Sequence, residues 1–222
     1  MNRVFIGYDH RQPVSYAVLE HSLIMHSRSS PMAITPLVLP TLPIKRSGLT
    51  PFTFSRFLVP YLCGYEGWAL FLDIDMMARA DIAELFDLCD DSNAVMVSKS
   101  PLRYEWASLM LFNCAKCRAL TPEYVEVATG LHSIGWAKPE EIGGLPGEWN
   151  HLVGYDDPNP DAKLVHFTQG VPAFPETQAS EHGDEWRHVA SGAFSSLSWQ
   201  KLMGNSVHAG PVRERFGVSA VM

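Results

Sequence analysis

Short, wholly apolar runs separated by amphipathic or proline-rich stretches set the rhythm of this chain, and that rhythm predicts strands alternating with helices. Residues 4–8 (Val4-Phe5-Ile6-Gly7-Tyr8) form a β-branched and aromatic run that stops at Asp9-His10, as a buried first strand does. Over residues 12–27, Val14, Ala17, Val18, Leu23 and Ile24 recur close to helical spacing. Pro31, Pro36, Pro40, Pro43 and Pro51 surround a second strand expected at 34–39 and then a loop. Residues 54–64 predict a helix with Phe57, Leu58, Tyr61 and Leu62 on one face. Trp68-Ala69-Leu70-Phe71-Leu72 has no polar alternation, which predicts a central strand covered on both faces. It ends in Asp73-Ile74-Asp75.

A short acidic helix is expected from Asp81, with further strands at 94–97 and 109–112. The order β, α, β, α, β with full burial implies an α/β fold, a mostly parallel central sheet flanked by helices. From residue 130 the character changes: 143–147 reads as loop, 163–166 as a short strand and 180–191 as a polar surface helix. The last twenty residues are weakly patterned, and the chain has no internal repeat.

Length and charge narrow the possibilities. A chain of 222 residues with 46% hydrophobic positions fits one domain with a core of its own. The 24 acidic against 17 basic side chains give a formal net charge of −7, which argues against a nucleic-acid or anionic-membrane binder. Four cysteines are too few for a disulfide framework at this length. Cys114-Ala115-Lys116-Cys117 has CxxC spacing, but no second CxxC or His-x₃₋₅-His follows, so buried free thiols are expected. The N-terminal apolar run is shorter than a signal-peptide core, and no apolar stretch reaches the ~18 residues of a membrane span. The expectation is a soluble, cytoplasmic protein.

Candidate chemistry begins at Asp73 and Asp75. Positions i and i+2 of a strand face the same way, so both carboxylates can converge on one point. Two such oxygen donors suit Mg²⁺ or Mn²⁺, above all when ligand phosphates complete the shell. Strand carboxyl ends are where open α/β sheets place their ligands. A solvated strand end fits the same residues. So does the nucleophile strand of a haloacid-dehalogenase-like phosphohydrolase, in which Asp73 attacks phosphorus and Asp75 protonates the leaving group, although Met76-Met77 stand where that family has small residues.

Several blocks occur together and in order. They are Gly7-Tyr8-Asp9 ending the first strand, Thr53-Phe54-Ser55-Arg56-Phe57, Leu70-Phe71-Leu72-Asp73-Ile74-Asp75, Ala107-Ser108 leading to Asn113, Leu145 to Asn150, and Lys163-Leu164-Val165-His166 through Gly170. On these the chain resembles glycosyltransferases of the GT-A fold, in particular the retaining family that includes glycogenin and bacterial lipopolysaccharide galactosyltransferases.

The resemblance spans about residues 3–175. It implies a nucleotide-sugar-binding and catalytic core over 1–175 and a helical or irregular extension over 176–222 packed on the same domain. It implies a bacterial-type, metal-dependent transfer of a hexose from a nucleotide-diphosphate sugar, in first place a UDP-sugar, to an acceptor hydroxyl on a glycan, lipid-linked sugar or protein. Asp73, Asp75 and His166 would hold Mn²⁺ (or Mg²⁺). Arg56 would orient the donor sugar or a phosphate oxygen, and Asp9 would meet the base. Gly7, Tyr8, Ile74, Ala107, Ser108, Asn150 and Gly170 would complete the donor site.

The chain departs from that family at identifiable positions. Trp106-Ala107-Ser108 stands in place of Asn-Ser-Gly, and the lysine expected after Gly170 is absent from Val171-Pro172-Ala173-Phe174. The Asp-Gln pair near the reacting carbon has its nearest acidic candidates in Glu140 and Glu141, so Glu141 is the second candidate catalytic residue beside Arg56. The lost lysine keeps open a non-catalytic nucleotide-sugar- or glycan-binding module on the same scaffold.

Overall fold

The computed structural model describes residues 1–195 and 197–216. Position 196 and residues 217–222 of the expected extension lie outside the described residues. The strands are β1 (Asn2–Gly7), β2 (Met32–Leu37), β3 (Trp68–Leu72), β4 (Met76–Ala78), β5 (Val95–Ser98), β6 (Leu109–Asn113), β7 (Ile142–Leu145), β8 (His151–Leu152) and β9 (Leu164–His166). The larger sheet has six strands in the order β2-β1-β3-β6-β5-β7, and the smaller has the order β4-β9-β8. In the larger sheet β1 runs parallel to β2 and β3, and β5 parallel to β7, while β6 is antiparallel to both β3 and β5. The sheet is therefore mostly parallel, with β6 the one reversed strand.

The apolar run over β3 does what its composition predicts. Leu70, Phe71 and Leu72 have no exposed surface. Phe71 joins Phe5, Phe57 and Phe112 on one face, whereas Leu70 and Leu72 join Val4, Ile6, Leu109 and Leu111 on the other. The period of two thus sorts neighbours into two cores, each fully buried side chain contributing about 1.5–3 kcal/mol.

Helix α1 (Pro13–His26) begins with proline at its first turn, where the missing N–H has no helical partner to lose. Its Ser22 hydroxyl accepts from Ala78 N at 2.9 Å and so ties the helix to β4. The helix expected at 54–64 is instead α2 (Phe52–Ser55), a 3₁₀ turn at Arg56–Leu58 and α3 (Val59–Leu62). Pro60 accounts for the break, because it removes the bond to the carbonyl four residues back and its ring crowds that carbonyl.

Two further expectations are corrected. Gly143 and Gly144 are not loop but lie in β7, where a Cβ on Gly143 would stand 2.8 Å from Asn93 and Met96 side-chain atoms. Glycine here permits close approach to the neighbouring chain. After α4 (Ala83–Phe86) and α5 (Pro122–Val127), α6 (Gly183–Ala193) is amphipathic: Trp186 and Val189 are buried with Val18 of α1 and Met77. Helices α7 (Trp199–Met203) and α8 (Ala209–Phe216) follow. Among the described residues, no helix is long and apolar enough to cross a membrane. The cysteines are free; Cys114 and Cys117 are buried, and the Cys117 thiol donates to Ala94 O at 3.2 Å.

This topology fixes the site. Asp73-Ile74-Asp75 is the turn by which the chain leaves β3 in the large sheet and enters β4 in the small one. Asp73 N donates to Ser108 O, and Phe167 N to Asp75 O, each at 2.9 Å. The two aspartates are thereby pinned between the start of β6 and the end of β9.

Candidate active site

A cleft of about 290 Å³ opens at this joint, and Arg56, Asp73, Asp75, Glu105, Ser108, His132 and His166 are among its lining residues. One ligating atom from each of Asp73, Asp75 and His166 lies within 4.8 Å of the others. Met76 pairs with His166 across β4 and β9, which places the imidazole beside the acidic turn. His166 Nε2 is 3.3 Å from Asp75 Oδ1, and Nδ1 is 3.1 Å from Asn150 Oδ1. Asn150 Nδ2 donates to Ser108 Oγ at 3.1 Å, and that hydroxyl donates to Glu105 O at 2.6 Å. The ring is oriented by a chain of neutral hydrogen bonds, the arrangement that fixes a metal-binding imidazole.

Arg56 backs the first aspartate. Its Nη1 lies 2.9 Å from Asp73 Oδ1 and 3.2 Å from Oδ2, and donates to Ala107 O at 2.8 Å, while Nε donates to Phe52 O at 3.3 Å. The guanidinium carbon also sits 5.0 Å from the Phe71 ring centroid and 5.4 Å from that of Phe52. Burial pushes the Asp73 carboxyl up to about 7, with Arg56 opposing the shift and Asp75 reinforcing it. Burial also raises Glu105. For His166 burial disfavours the cation, but Asp75, Asp73 and Glu105 outweigh it and the net shift is upward.

The donor set suits a divalent cation. Asp73 Oδ1 and Asp75 Oδ1 are buried and neither accepts a hydrogen bond, despite the nearby Arg56 and His166 nitrogens. Buried carboxylate oxygens that accept no hydrogen bond are costly, and a bound cation is a partner that two of them and an imidazole fit.

The sequence-predicted residues divide into three groups. Arg56, Asp73, Asp75, Ser108 and His166 meet in the cleft, with Asn150 and the Ala107 carbonyl directly behind them. A second group is used by the scaffold. A Cβ on Gly7 would stand 2.5 Å from the Phe52 ring, so glycine there makes room for that side chain. Ile74 packs in the core. Tyr8 meets Tyr16 edge to face at 5.6 Å. The buried Asp9 carboxylate is held by Arg11 through Nε at 2.9 and 3.0 Å and Nη2 at 2.5 Å, which lowers its pKa. Gly170 has φ +117, a turn conformation that favours glycine.

Glu141 forms the third group and lies apart. It precedes β7, where Ala94 N donates to its carbonyl beside the start of β5, and its carboxylate is 3.7 Å from Lys116 Nζ. Because β5 and β7 run in the same sense as β3, this is the sheet edge opposite the one where β3 ends. The structure does not bring Glu141 to the cleft.

Glu105, His132 and Phe52 went unrecognised in the sequence. Glu105 Oε2 is 3.8 Å from His166 Nδ1, and the only sequence signal was an acid in the segment just before β6. His132 stands edge to face with Phe54 and Phe57, brought in by a segment without recognisable periodicity.

Among solved structures the chain superposes on the bifunctional glycosyltransferase WbbM with a TM-score of 0.67 at 15% identity, covering 91% of this chain and 51% of that one. It thus spans about half of that chain's length. Against the galactosyltransferase LgtC in complex with donor and acceptor sugar analogs the TM-score is 0.65 at 12% identity, over 90% of this chain and 99% of that one. The glycosyltransferase GlyE of Streptococcus pneumoniae TIGR4 gives 0.65 at 17% identity, over 86% and 61%. No family profile matches the chain. Protein CDI of Arabidopsis thaliana is 38% identical over 83% of this chain and 84% of its own length. The fold is that of the GT-A glycosyltransferases, and by sequence the chain belongs to the family of Protein CDI.

Proposed function

We propose that this chain is a metal-dependent glycosyltransferase that moves a hexose from a nucleotide-diphosphate sugar, in first place a UDP-sugar, to an acceptor hydroxyl with retention. The observation that carries the reading is the convergence of Asp73, Asp75 and His166 at one end of the sheet, with two buried carboxylate oxygens that accept no hydrogen bond. Mn²⁺, or Mg²⁺, held by those three side chains supplies positive charge where a departing diphosphate becomes negative.

The protein's own residues prepare that arrangement. Asn150 Oδ1 accepts a hydrogen bond from Nδ1–H of His166, so the Nε2 lone pair would be available to an ion shared with Asp75. Arg56 opposes the burial that favours a protonated Asp73 and fixes that carboxylate in direction, acting as a positioning residue whose guanidinium also borders the cleft. Ser108 braces Asn150, so its hydroxyl is engaged within the protein. In the retaining reading the proton of an attacking acceptor goes to the leaving phosphate, which asks for no side-chain base and is compatible with Glu141 lying at the far end of the sheet. The acceptor is a glycan, lipid-linked sugar or protein. The reading takes residues 1–175 as the core and 176–222 as its extension, in the cytoplasm.

Release of UDP from a panel of UDP-sugars, with and without Mn²⁺, tests the reading. Mn²⁺-dependent turnover that Asp75→Ala abolishes is the expected result, and unchanged turnover in that variant overturns it. The missing lysine after Gly170 favours a second reading, a binding module on the same scaffold. Mn²⁺-linked UDP binding without turnover on any acceptor selects it.

A further inference from the structure

We propose that His151, Glu181 and His182 form a second metal site, for one zinc-class divalent ion, which pins the segment entering α6 onto β8. This site shares no residue with the Asp73, Asp75 and His166 cluster and does not depend on the transferase reading. One ligating atom from each of its three residues lies within 4.8 Å of the others. His151 Nε2 is 2.9 Å from Glu181 Oε2, and His182 Nε2 is 3.2 Å from Glu181 Oε1. The two rings stand at 88° with centroids 5.8 Å apart, so both Nε2 atoms face the same carboxylate.

The outward-facing nitrogens carry the inference further. His151 Nδ1 is 3.8 Å from Asp156 Oδ2, and His182 Nδ1 is 3.5 Å from Glu185 Oε2. Each imidazole therefore has one nitrogen beside the Glu181 carboxylate and the other nearest a second carboxylate, and His182 Nε2 also lies 3.2 Å from Asn159 O, a contact that a bound ion would replace. At these distances the outer carboxylates, Asp156 held by Leu152 N and Glu185 by Arg79, act on the rings through their charge rather than through a hydrogen bond. Two imidazoles and one carboxylate select Zn²⁺, Co²⁺ or Ni²⁺ over the all-oxygen shells of Ca²⁺ and Mg²⁺.

Access and conformation agree. A cleft of about 400 Å³ is lined by His151, Asp156 and Asn159 and so reaches the cluster from the His151 side. His182 holds φ 57, a left-handed conformation in which asparagine, aspartate and histidine are enriched among the non-glycine residues. Because α6 packs on α1 through Trp186 and Val189, an ion at this point fastens the same helix at its other end.

The test uses the full chain carrying Asp75→Ala, which disables the first cluster, after treatment with a chelator. Zn²⁺ is titrated by calorimetry and Co²⁺ by its visible absorption. One saturable equivalent, a tetrahedral Co²⁺ spectrum and a higher unfolding midpoint with Zn²⁺ are expected. His182→Asn, a residue that tolerates the left-handed backbone, then weakens binding by ~100-fold or more. Glu181→Gln keeps the shape and hydrogen bonding but not the charge, and decides the matter if the histidine variant does not fold. Absence of saturable binding in the Asp75→Ala protein, or undiminished binding in Glu181→Gln, overturns the proposal and leaves Glu181 as a hydrogen-bonded clasp between two histidines.

Discussion

Arg56 and Asp73 form a buried ion pair, 2.9 Å between Nη1 and Oδ1, with side-chain exposures of 8% and 13%. The guanidinium also satisfies the carbonyls of Ala107 and Phe52, so it joins the β3 end, the turn before β6 and its own helix. Removing one partner of such a pair leaves the other charge buried alone. Arg56→Ala is expected to cost about 3–5 kcal/mol, measured by urea denaturation. Arg56→Lys recovers only part of this, because an ammonium cannot reproduce the planar fork. A midpoint unchanged in Arg56→Ala would show that Asp73 draws no support from the pair.

Gly7 and Phe52 give a second, steric prediction. A Cβ at Gly7 meets Phe52 Cδ2 and Cγ at 2.5 Å, and the Phe52 ring is buried and flanks the Arg56 guanidinium. Gly7→Ala should destabilise the protein by about 1–3 kcal/mol through overpacking. Adding Phe52→Leu should recover part of the loss, and a double-mutant cycle reads the coupling directly. Strict additivity would mean that the two side chains do not compete for the space.

Asn150 tests the orientation of His166. Asn150→Ala removes the group 3.1 Å from Nδ1 and leaves the ring free to turn or change tautomer. Under the proposed transferase function, the Mn²⁺ concentration needed for half-maximal UDP-sugar turnover should rise by about 10–100-fold, with saturating turnover largely kept. An unchanged Mn²⁺ requirement would place the orientation of His166 elsewhere.

The features legible in the sequence are those governed by local pattern. The uninterrupted apolar run of β3 and the acidic turn after it specify both a central strand and a pair of carboxylates at its end. His166 needed the order of several blocks, because a histidine ending a short strand carries no signal of its own. What was hidden depends on long-range pairing. Gly143 and Gly144 read as loop until β5 lies beside them, and β4 and β8 are too short for periodicity to register. Glu141 was singled out by sequence order alone, and the return of the chain through β6 carries it to the opposite sheet edge. Glu105 and His132 enter the cleft from irregular segments whose course only tertiary packing determines.

His132 gives the pH dependence. Burial, with the nearby Arg56 charge, lowers its pKa from 6.5 to about 4. The folded protein therefore favours the neutral ring, so this contribution is complete above pH 6.5. As the pH falls below that value the unfolded chain takes up the proton first, and the contribution disappears by about pH 4. At about 1.36 kcal/mol per pKa unit the ceiling is about 3 kcal/mol, and partial exposure of the ring reduces it to about 2. His132→Phe keeps the edge-to-face contacts with Phe54 and Phe57 and removes the titration. Stability measured by urea denaturation between pH 6.5 and 4 should fall less steeply in the variant than in the parent by that amount. Parallel losses in the two proteins over this range would assign the acid sensitivity to other groups.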